Sequence, residues 1–256
     1  MARIFITGSS TGIGLKTGEL LVAQGHAVVL HARNPARAED TRRALPKAEA
    51  VVLGDLASMT ETRSLAEQVN KLGRFDAVIH NAGIGPQEGN AKTREGISNV
   101  FAVNVIAPYI LTALITKPDR LVYLSSSMHR SASANMDDLT WSKRTWSGAQ
   151  AYSESKLYNV MIAFGIARRW PAVLSNAVDP GWVATRMGGA SAPSSLEEGS
   201  ETQAWLAVSN DAKARVTGKY FNHMNTSSLN PDASKRELQD KLLAECERLS
   251  GVKLPA

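Results

Sequence analysis

Tyr152 and Lys156 stand four residues apart in "GAQAYSESKLYNVMIAFGIARR", so a helix puts both side chains on one face. A phenol with an ordinary pKa of about 10 is a poor acid or base at neutral pH. A cation held beside it favours the phenolate and lowers that value, which suits reversible proton transfer to a carbonyl oxygen or from an alcohol. Upstream, "LVYLSSSMH" reads as a strand running into Ser125, Ser126 and Ser127. A hydroxyl at the carboxyl edge of a strand can donate to a developing oxyanion. The Tyr/Lys spacing alone is common on surface helices, and the serine-bearing strand gives it meaning.

A second stretch, "RIFITGSSTGIGLKTGELL", supports two readings. Gly8-Ser9-Ser10-Thr11-Gly12 matches the G-x-S-x-G turn of serine hydrolases, and Asp179 and His223 follow in the order those enzymes use. The same letters space Gly8, Gly12 and Gly14 as a loop that wraps a dinucleotide phosphate. A nucleophile turn lies mid-sheet behind an oxyanion loop, whereas two residues precede this strand. Gly14 has no part in such a turn, but it lets a helix N-terminus approach a phosphate, where free N–H groups and the helix dipole point. Gly14-Leu15-Lys16-Thr17 also lacks the glycine before lysine that a P-loop requires. Gly8, Ser10, Thr11, Gly12, Ile13 and Gly14 are therefore expected to cradle a dinucleotide, with Ser10 on its phosphate side.

In such a fold the end of the next strand reads the adenosine ribose. "HAVVLHARNPAR" carries no Asp or Glu there and offers Arg33, Asn34 and Arg37. An acid would accept from the 2′-OH of NAD. A 2′-phosphate calls for cations, and arginine meets it with paired donors. NADP is favoured over NAD.

These groups need a scaffold that gathers strand ends. Apolar runs at 3–7, 27–32, 50–53, 77–81, 121–125, 174–178 and 219–222 alternate with helix-like segments at 14–24, 35–45, 59–72, 94–114, 151–169 and 195–208. A last helix at 231–250 puts Leu238, Leu242, Cys246 and Leu249 on one stripe. The runs are continuously apolar, as in parallel strands covered on both faces. The expected fold is α/β: a Rossmann-type doubly wound parallel sheet of about seven strands, with helices on both faces and ligands at the carboxyl ends.

The bulk numbers agree. With 43% hydrophobic and 21% charged residues in 256, the chain can bury one substantial core. A single cysteine excludes an internal disulfide and fits a cytoplasmic location. No stretch suits a signal peptide or a membrane span. The net charge of +5 is spread among acids, so no nucleic-acid partner is expected. The five histidines show no ligand spacing, no metal is expected, and His80 reads as packing at a strand end.

Taken in order, "TGSSTGIG" (7–14), "GDL" (54–56), "HNAG" (80–83), "VNV" (103–105), "LSSS" (124–127), "YSESK" (152–156) and "DPGWVATRM" (179–187) resemble the short-chain dehydrogenase/reductase family of the classical type over nearly the whole chain. The resemblance implies one NAD(P)-binding domain, 1–256. It makes Tyr152 the catalytic acid/base, and Lys156 the cation that lowers its pKa and binds the nicotinamide ribose. It puts Asp55 and Leu56 at the adenine, and Asn81, Ala82 and Gly83 along the cofactor cleft. Asn104 becomes a helix-distorting residue that holds a water linking Lys156 to solvent. Pro180, Gly181, Val183 and Thr185 fall beside the carboxamide, giving Asp179 a loop position. A small carbonyl or alcohol substrate and a homodimer or homotetramer follow by resemblance alone.

Three features depart from the common pattern. Aligning the serines puts the oxyanion donor at Ser126, with Ser125 the alternative. The 26-residue spacing from Ser126 to Tyr152 is roughly double the family's usual length, and its insertion, "HRSASANMDDLTWSKRTWSG", resembles the retinol-dehydrogenase-like branch. Trp141 and Trp146 within it are either pocket walls or packing. Small residues from Gly188 to Ser195 suggest a mobile lid near 185–200. The rival to an oxidoreductase is a non-catalytic NADP-binding sensor or scaffold on the same fold, against which stands the presence of serine, tyrosine and lysine together.

Overall fold

The strand and helix signals resolve into a single eight-stranded sheet in a computed structural model that describes residues 1–256. In chain order the elements are β1 (Arg3–Ile6), α1 (Gly12–Ala23), β2 (Ala27–Ala32), α2 (Pro35–Ala44), β3 (Ala50–Leu53), α3 (Met59–Lys71), β4 (Ala77–His80), α4 (Asn99–Phe101), α5 (Ala107–Leu114), β5 (Arg120–Leu124), α6 (Gly148–Arg169), β6 (Leu174–Asp179), α7 (Glu198–Val208), β7 (Tyr220–Asn222), β8 (Asn225–Thr226) and α8 (Arg236–Ser250). Across the sheet the order is β3-β2-β1-β4-β5-β6-β7-β8. Every neighbouring pair is parallel except β7–β8, whose two-residue partner strand is the eighth that the sequence did not announce. The order reverses between β1 and β4, which opens a crevice at their carboxyl ends.

Alternation along each strand explains the two layers. Ile4 and Ile6 face α1 and α7, packing with Leu21 and Leu206, while Phe5 between them points the other way onto Phe75, Leu65 and Tyr109. Both faces are covered, which is why the strands read as unbroken apolar runs. The two edges are closed differently. β8 covers β7, whereas at β3 the Gln68 side chain accepts from Leu53 N at 3.1 Å and donates to Leu53 O at 2.8 Å.

Two predicted helices differ from expectation. The segment expected at 94–114 begins at Asn99, because Ser98 caps it by accepting from Phe101 N and the chain before it turns back through Thr93 N to Ile97 O. Between α4 and α5 it widens into one π-helical turn, Ala102–Ile106, that carries Asn104. The last helix is broken: Pro231–Ser234 forms a 3₁₀ turn and α8 starts afresh at Arg236. Leu242 and Cys246 are buried on the expected stripe, with Leu238 and Leu249 half-buried beside them. No helix is long and apolar enough to cross a membrane.

The insertion before α6 folds around Asp138, whose carboxylate accepts from the backbone N–H groups of Ser142, Lys143 and Arg144 at 2.8, 3.0 and 3.0 Å. Arg144 then reaches α6 and grips the Glu154 carboxylate with two nitrogens, at 2.7 and 2.8 Å. Trp141 and Trp146 settle as packing: their rings meet at 5.2 Å, with the Arg144 guanidinium 3.8 Å over Trp141, and Val100 and Ala151 complete the cluster. Glu154 is 1% exposed and lies two residues beyond Tyr152, so the insertion is fastened to the turn of α6 that matters most for the site. Removing one partner of a buried ion pair strands the other. Arg144→Met is expected to destabilise the protein by about 3 kcal/mol, the low end for such losses because Arg144 is partly solvated. Urea unfolding measures it.

Candidate active site

The glycine loop is shaped by what it packs against. Gly8 has φ +60°, and a Cβ there would stand 2.7 Å from Ala82 Cα. A Cβ on Gly14 would strike the Asn81 side chain and come within 2.6 Å of Gly8 O. Asn81 Nδ2 donates to Thr7 O and Gly8 O at 2.9 and 3.0 Å, and Thr7 Oγ1 accepts from Ala82 N at 3.0 Å. From the other side His31, buried at the end of β2, accepts from Gly8 N at 2.9 Å through Nδ1 and donates from Nε2 to Gly54 O at 2.8 Å. Burial lowers the His31 pKa, which keeps Nδ1 free to accept. Ser9 Oγ bonds Ile6 O and His31 N. Sequence reasoning missed His31 and Ser9, since nothing local marks a strand histidine as a prop for a loop over twenty residues earlier.

Thr11 precedes α1 without capping it, so the first N–H groups of the helix remain available at the loop. The loop opens one end of a cleft of about 760 Å³. Gly8, Ser10, Thr11, Gly12, Ile13 and Gly14 line that end, with Arg33, Arg37, Asp55 and Leu56 beside them. Asn81, Ala82 and Gly83 form the middle, and Tyr152, Lys156, Pro180 and Thr185 the far end. Neither the Arg33 nor the Arg37 guanidinium enters an ion pair within the protein; all the carboxylates that pair with cations do so elsewhere. A glycine cradle at a free helix N-terminus fits a dinucleotide pyrophosphate, and the two arginines beside it are left without acidic partners.

One expected lining residue is corrected and another carries a second role. The Asn34 side chain caps α2 by accepting from Arg37 N at 3.0 Å, and the residue lines a recess beside the cleft with Arg33 and Asp55. Val183 is buried against Gly199 and bridged to Ser194, off the cleft wall. Gly181, at φ +85°, turns the chain behind Pro180. Asp179, expected in a loop, is the last residue of β6 and is 5% exposed. Asp55 lines the cleft while its Oδ1 accepts from Ala57 N.

At the far end α6 holds Tyr152 and Lys156 on one face. Lys156 Nζ donates to Leu124 O at 3.0 Å and stands 5.4 Å from the Tyr152 ring centre. Ser125 donates to Lys156 O at 2.8 Å and is thereby tied to the backbone, whereas Ser126 opens the 3₁₀ turn Ser127–Ser131 and faces Tyr152. Asn104 is fully buried behind them. It accepts from Ile84 N at 2.9 Å, and it donates to Ile84 O at 3.1 Å and to Ser155 Oγ at 2.9 Å.

The electrostatics run against the simple expectation. The phenol of Tyr152 is pushed up to about 12, chiefly by burial, with the Ser126 hydroxyl pulling it down and the Asp179 charge adding to the rise. Burial also drives Lys156 down to about 8, opposed by Asp179. Lysine does not hold the phenol below its ordinary value here, because its own ammonium is desolvated and bound to a strand carbonyl. At neutral pH Tyr152 is an acid with its proton in place.

The segment expected to form a lid is bonded largely to itself. Ala184 N bonds Ser194 O, Ser194 N bonds Trp182 O, Trp182 Nε1 donates to Gly188 O at 2.8 Å, and Gln87 reaches Met187 O. Apart from Met1, the exposed large apolar side chains are Met128, after β5, and Trp182 and Met187, in the segment after β6. The hydrolase arrangement does not form. Ser10 follows β1, while Asp179 ends β6 three strands away, on the order of 14 Å at ordinary strand spacing. His80 is buried, bonded to Thr112 at 3.0 Å and stacked on Tyr123. No group of three or more His, Cys, Asp or Glu is arranged to hold a metal.

Comparison with known proteins follows the geometry. A family model described as short chain dehydrogenase matches residues 2–195. An uncharacterized oxidoreductase of Emericella nidulans is 45% identical over 260 residues, covering 100% of this chain and 99% of its own. Human retinol dehydrogenase 13 is 30% identical over 285 residues, covering 99% and 86%. Among solved structures, an uncharacterized protein from Mycobacterium paratuberculosis matches with a TM-score of 0.86 at 24% identity, over 100% of this chain and 96% of that one. A blue fluorescent protein from a metagenomic library in complex with NADPH matches at 0.70 and 22%, over 86% and 95%. At these identities the solved structures speak for the fold.

The buried ammonium has a measurable signature. Lys156 titrates near 8 in the folded protein against 10.5 ordinarily, so between those values the unfolded chain binds more protons and stability rises with pH. Below pH 8 the full burden applies. Lys156→Met is expected to raise the thermal midpoint at pH 7 by a few degrees, at about 2–4 °C per kcal/mol, and to flatten the rise between pH 8 and 10.5. Thermal scans across that range check both.

Proposed function

The chain belongs to the short-chain dehydrogenase family, and on that footing we propose that it is an NADP(H)-preferring oxidoreductase acting on a carbonyl or alcohol carbon. The observation that carries the reading is the burial of Tyr152 and Lys156 side by side on α6, at the opposite end of one cleft from a glycine loop and helix N-terminus. When bound, the nicotinamide supplies or accepts hydride at the reacting carbon. The chain's own residues manage the proton and the oxygen. Tyr152 gives its phenolic proton to a carbonyl oxygen in reduction and takes it back in oxidation, and the Ser126 hydroxyl holds the same oxygen. Lys156 places a cation behind the phenol and offers a donor to the nicotinamide ribose. Asn104 fixes the strand-end turn at Ile84 and the helix turn at Ser155, between which Lys156 lies.

The preference for NADP rests on Arg33 and Arg37, which lack acidic partners, and on the absence of an acid at the end of β2. Within this reading the segment near 185–200 acts as the substrate lid, and the exposed Met128, Trp182 and Met187 form the rim a substrate crosses. A cytoplasmic homodimer or homotetramer completes it.

Tyr152→Phe is expected to lower carbonyl-reducing turnover by about a hundred-fold or more while NADPH still binds, read by nicotinamide absorbance and by fluorescence titration. Near-normal turnover removes the proposed acid. Arg33→Ala is expected to weaken NADPH about ten-fold, as for loss of a charged hydrogen bond, and to leave NADH unchanged. Equal weakening of both cofactors contradicts the 2′-phosphate assignment.

A further inference from the structure

His129 is a fully buried titratable side chain that the proposed chemistry does not use. It sits in the 3₁₀ turn Ser127–Ser131, which follows β5 and opens at Ser126. In such a turn residues three apart lie one above the other, so the ring returns over Ser126. His129 Nδ1 lies 2.7 Å from Ser126 O, and the His129 backbone N–H donates to the same carbonyl at 3.0 Å. On the far side of the ring, Asn230 N donates to His129 Nε2 at 3.2 Å.

These contacts fix the proton. Burial lowers the His129 pKa, so the ring carries one hydrogen at neutral pH. The nitrogen that accepts from Asn230 cannot hold it. The hydrogen is on Nδ1 and is donated to Ser126 O. Tyr220 of β7 packs against the ring, with the two ring centres 4.6 Å apart. Asn230 is itself 6% exposed and anchored, its Nδ2 donating to Ala132 O at 2.6 Å. The imidazole thus brackets the start of the turn to a backbone group 101 residues further along the chain.

What the bracket holds is the residue that meets the substrate oxygen. Ser126 Oγ accepts from Met128 N at 3.3 Å, which occupies a lone pair and leaves its hydrogen to point elsewhere. The strand end just before it is tied to α6. Ser125 Oγ donates to Lys156 O at 2.8 Å, and Lys156 Nζ donates to Leu124 O at 3.0 Å. Rotation of the peptide after Ser126 would carry the hydroxyl away from Tyr152, which it faces. The carbonyl that would have to turn is held by both donors of His129.

We propose that His129 is a positioning residue for the Ser126 hydroxyl, aiming it at the oxygen that Tyr152 protonates. The inference rests on the oxidoreductase reading above, in which Ser126 holds that oxygen. His129 moves no proton of its own. In reduction the carbonyl carbon gains hydride, the C=O π pair moves to oxygen and Tyr152 supplies the proton, while the imidazole stays neutral throughout.

Asparagine puts its amide nitrogen where Nδ1 of histidine lies, and glutamine puts its amide end nearer Nε2. His129→Gln therefore keeps the Asn230 contact and loses the one to Ser126, whereas His129→Asn does the opposite. His129→Gln is expected to lower kcat about ten-fold with KM held within about two-fold, and His129→Asn to recover most of that loss. Ser126→Ala is expected to lower kcat about a hundred-fold. Adding His129→Gln to it costs nothing further, since both act through one hydroxyl. In the substrate-free protein the Met128 amide, followed by NMR, is expected to exchange about ten-fold faster in His129→Gln. A residue that only packed the turn would give additive losses in the double variant and no rescue by asparagine, and either result overturns the proposal. So does unchanged exchange at Met128, whatever the turnover. If that exchange quickens while neither parent nor variants turn over any carbonyl or alcohol in a broad panel, the oxidoreductase reading fails instead, and this inference with it.

Discussion

One asparagine amide holds the crevice in shape. Asn81 Nδ2 bonds the carbonyls of Thr7 and Gly8, clasping the end of β4 to the end of β1 where the strand order reverses. Thr7 returns the bond to Ala82 N. The space this clasp fills is the space a side chain at Gly8 or Gly14 would need. His31 closes the other flank by occupying the N–H of Gly8, so the donors left facing the cleft are those at the start of α1. A loop that looks pliant from its glycines is thus fixed by polar bonds on both sides, and a phosphate meets a surface already formed.

The opposite end of the cleft is assembled at the expense of stability. An ammonium rests on one carbonyl in the interior, and a phenol is buried beside it. Groups left in this condition concentrate where chemistry is done. The surrounding structure tolerates them because α6 is gripped at three successive residues: by Ser125 at Lys156 O, by Asn104 at Ser155, and by Arg144 at Glu154.

Much of this was legible in the sequence. Seven strands lie within a residue or so of where their apolar runs put them, because burial on both faces leaves a continuous signal. Tyr152 and Lys156 were legible because a helix makes their spacing a shared face. What escaped depends on neighbours distant in the chain. The late start of α4 is set by Ser98 and by a backbone turn at Thr93, and the π-turn at Asn104 leaves no periodic trace. The second role of Asn34, capping α2 through Arg37 N, was not marked by the residues around it. The direction of the Tyr152 shift depends on how deeply both partners are buried, which spacing does not report.

The edges of the sheet bear on how copies of this protein meet. A strand edge with free amides and carbonyls is a template on which another chain can add. Here one edge ends in the two-residue β8, folded back through a tight hairpin at His223 and Met224, both at positive φ. At the other, Leu53 has both backbone groups taken by Gln68. Continuous growth of the sheet from one molecule into the next is disfavoured where these caps lie, at β8 and at the Leu53 end of β3.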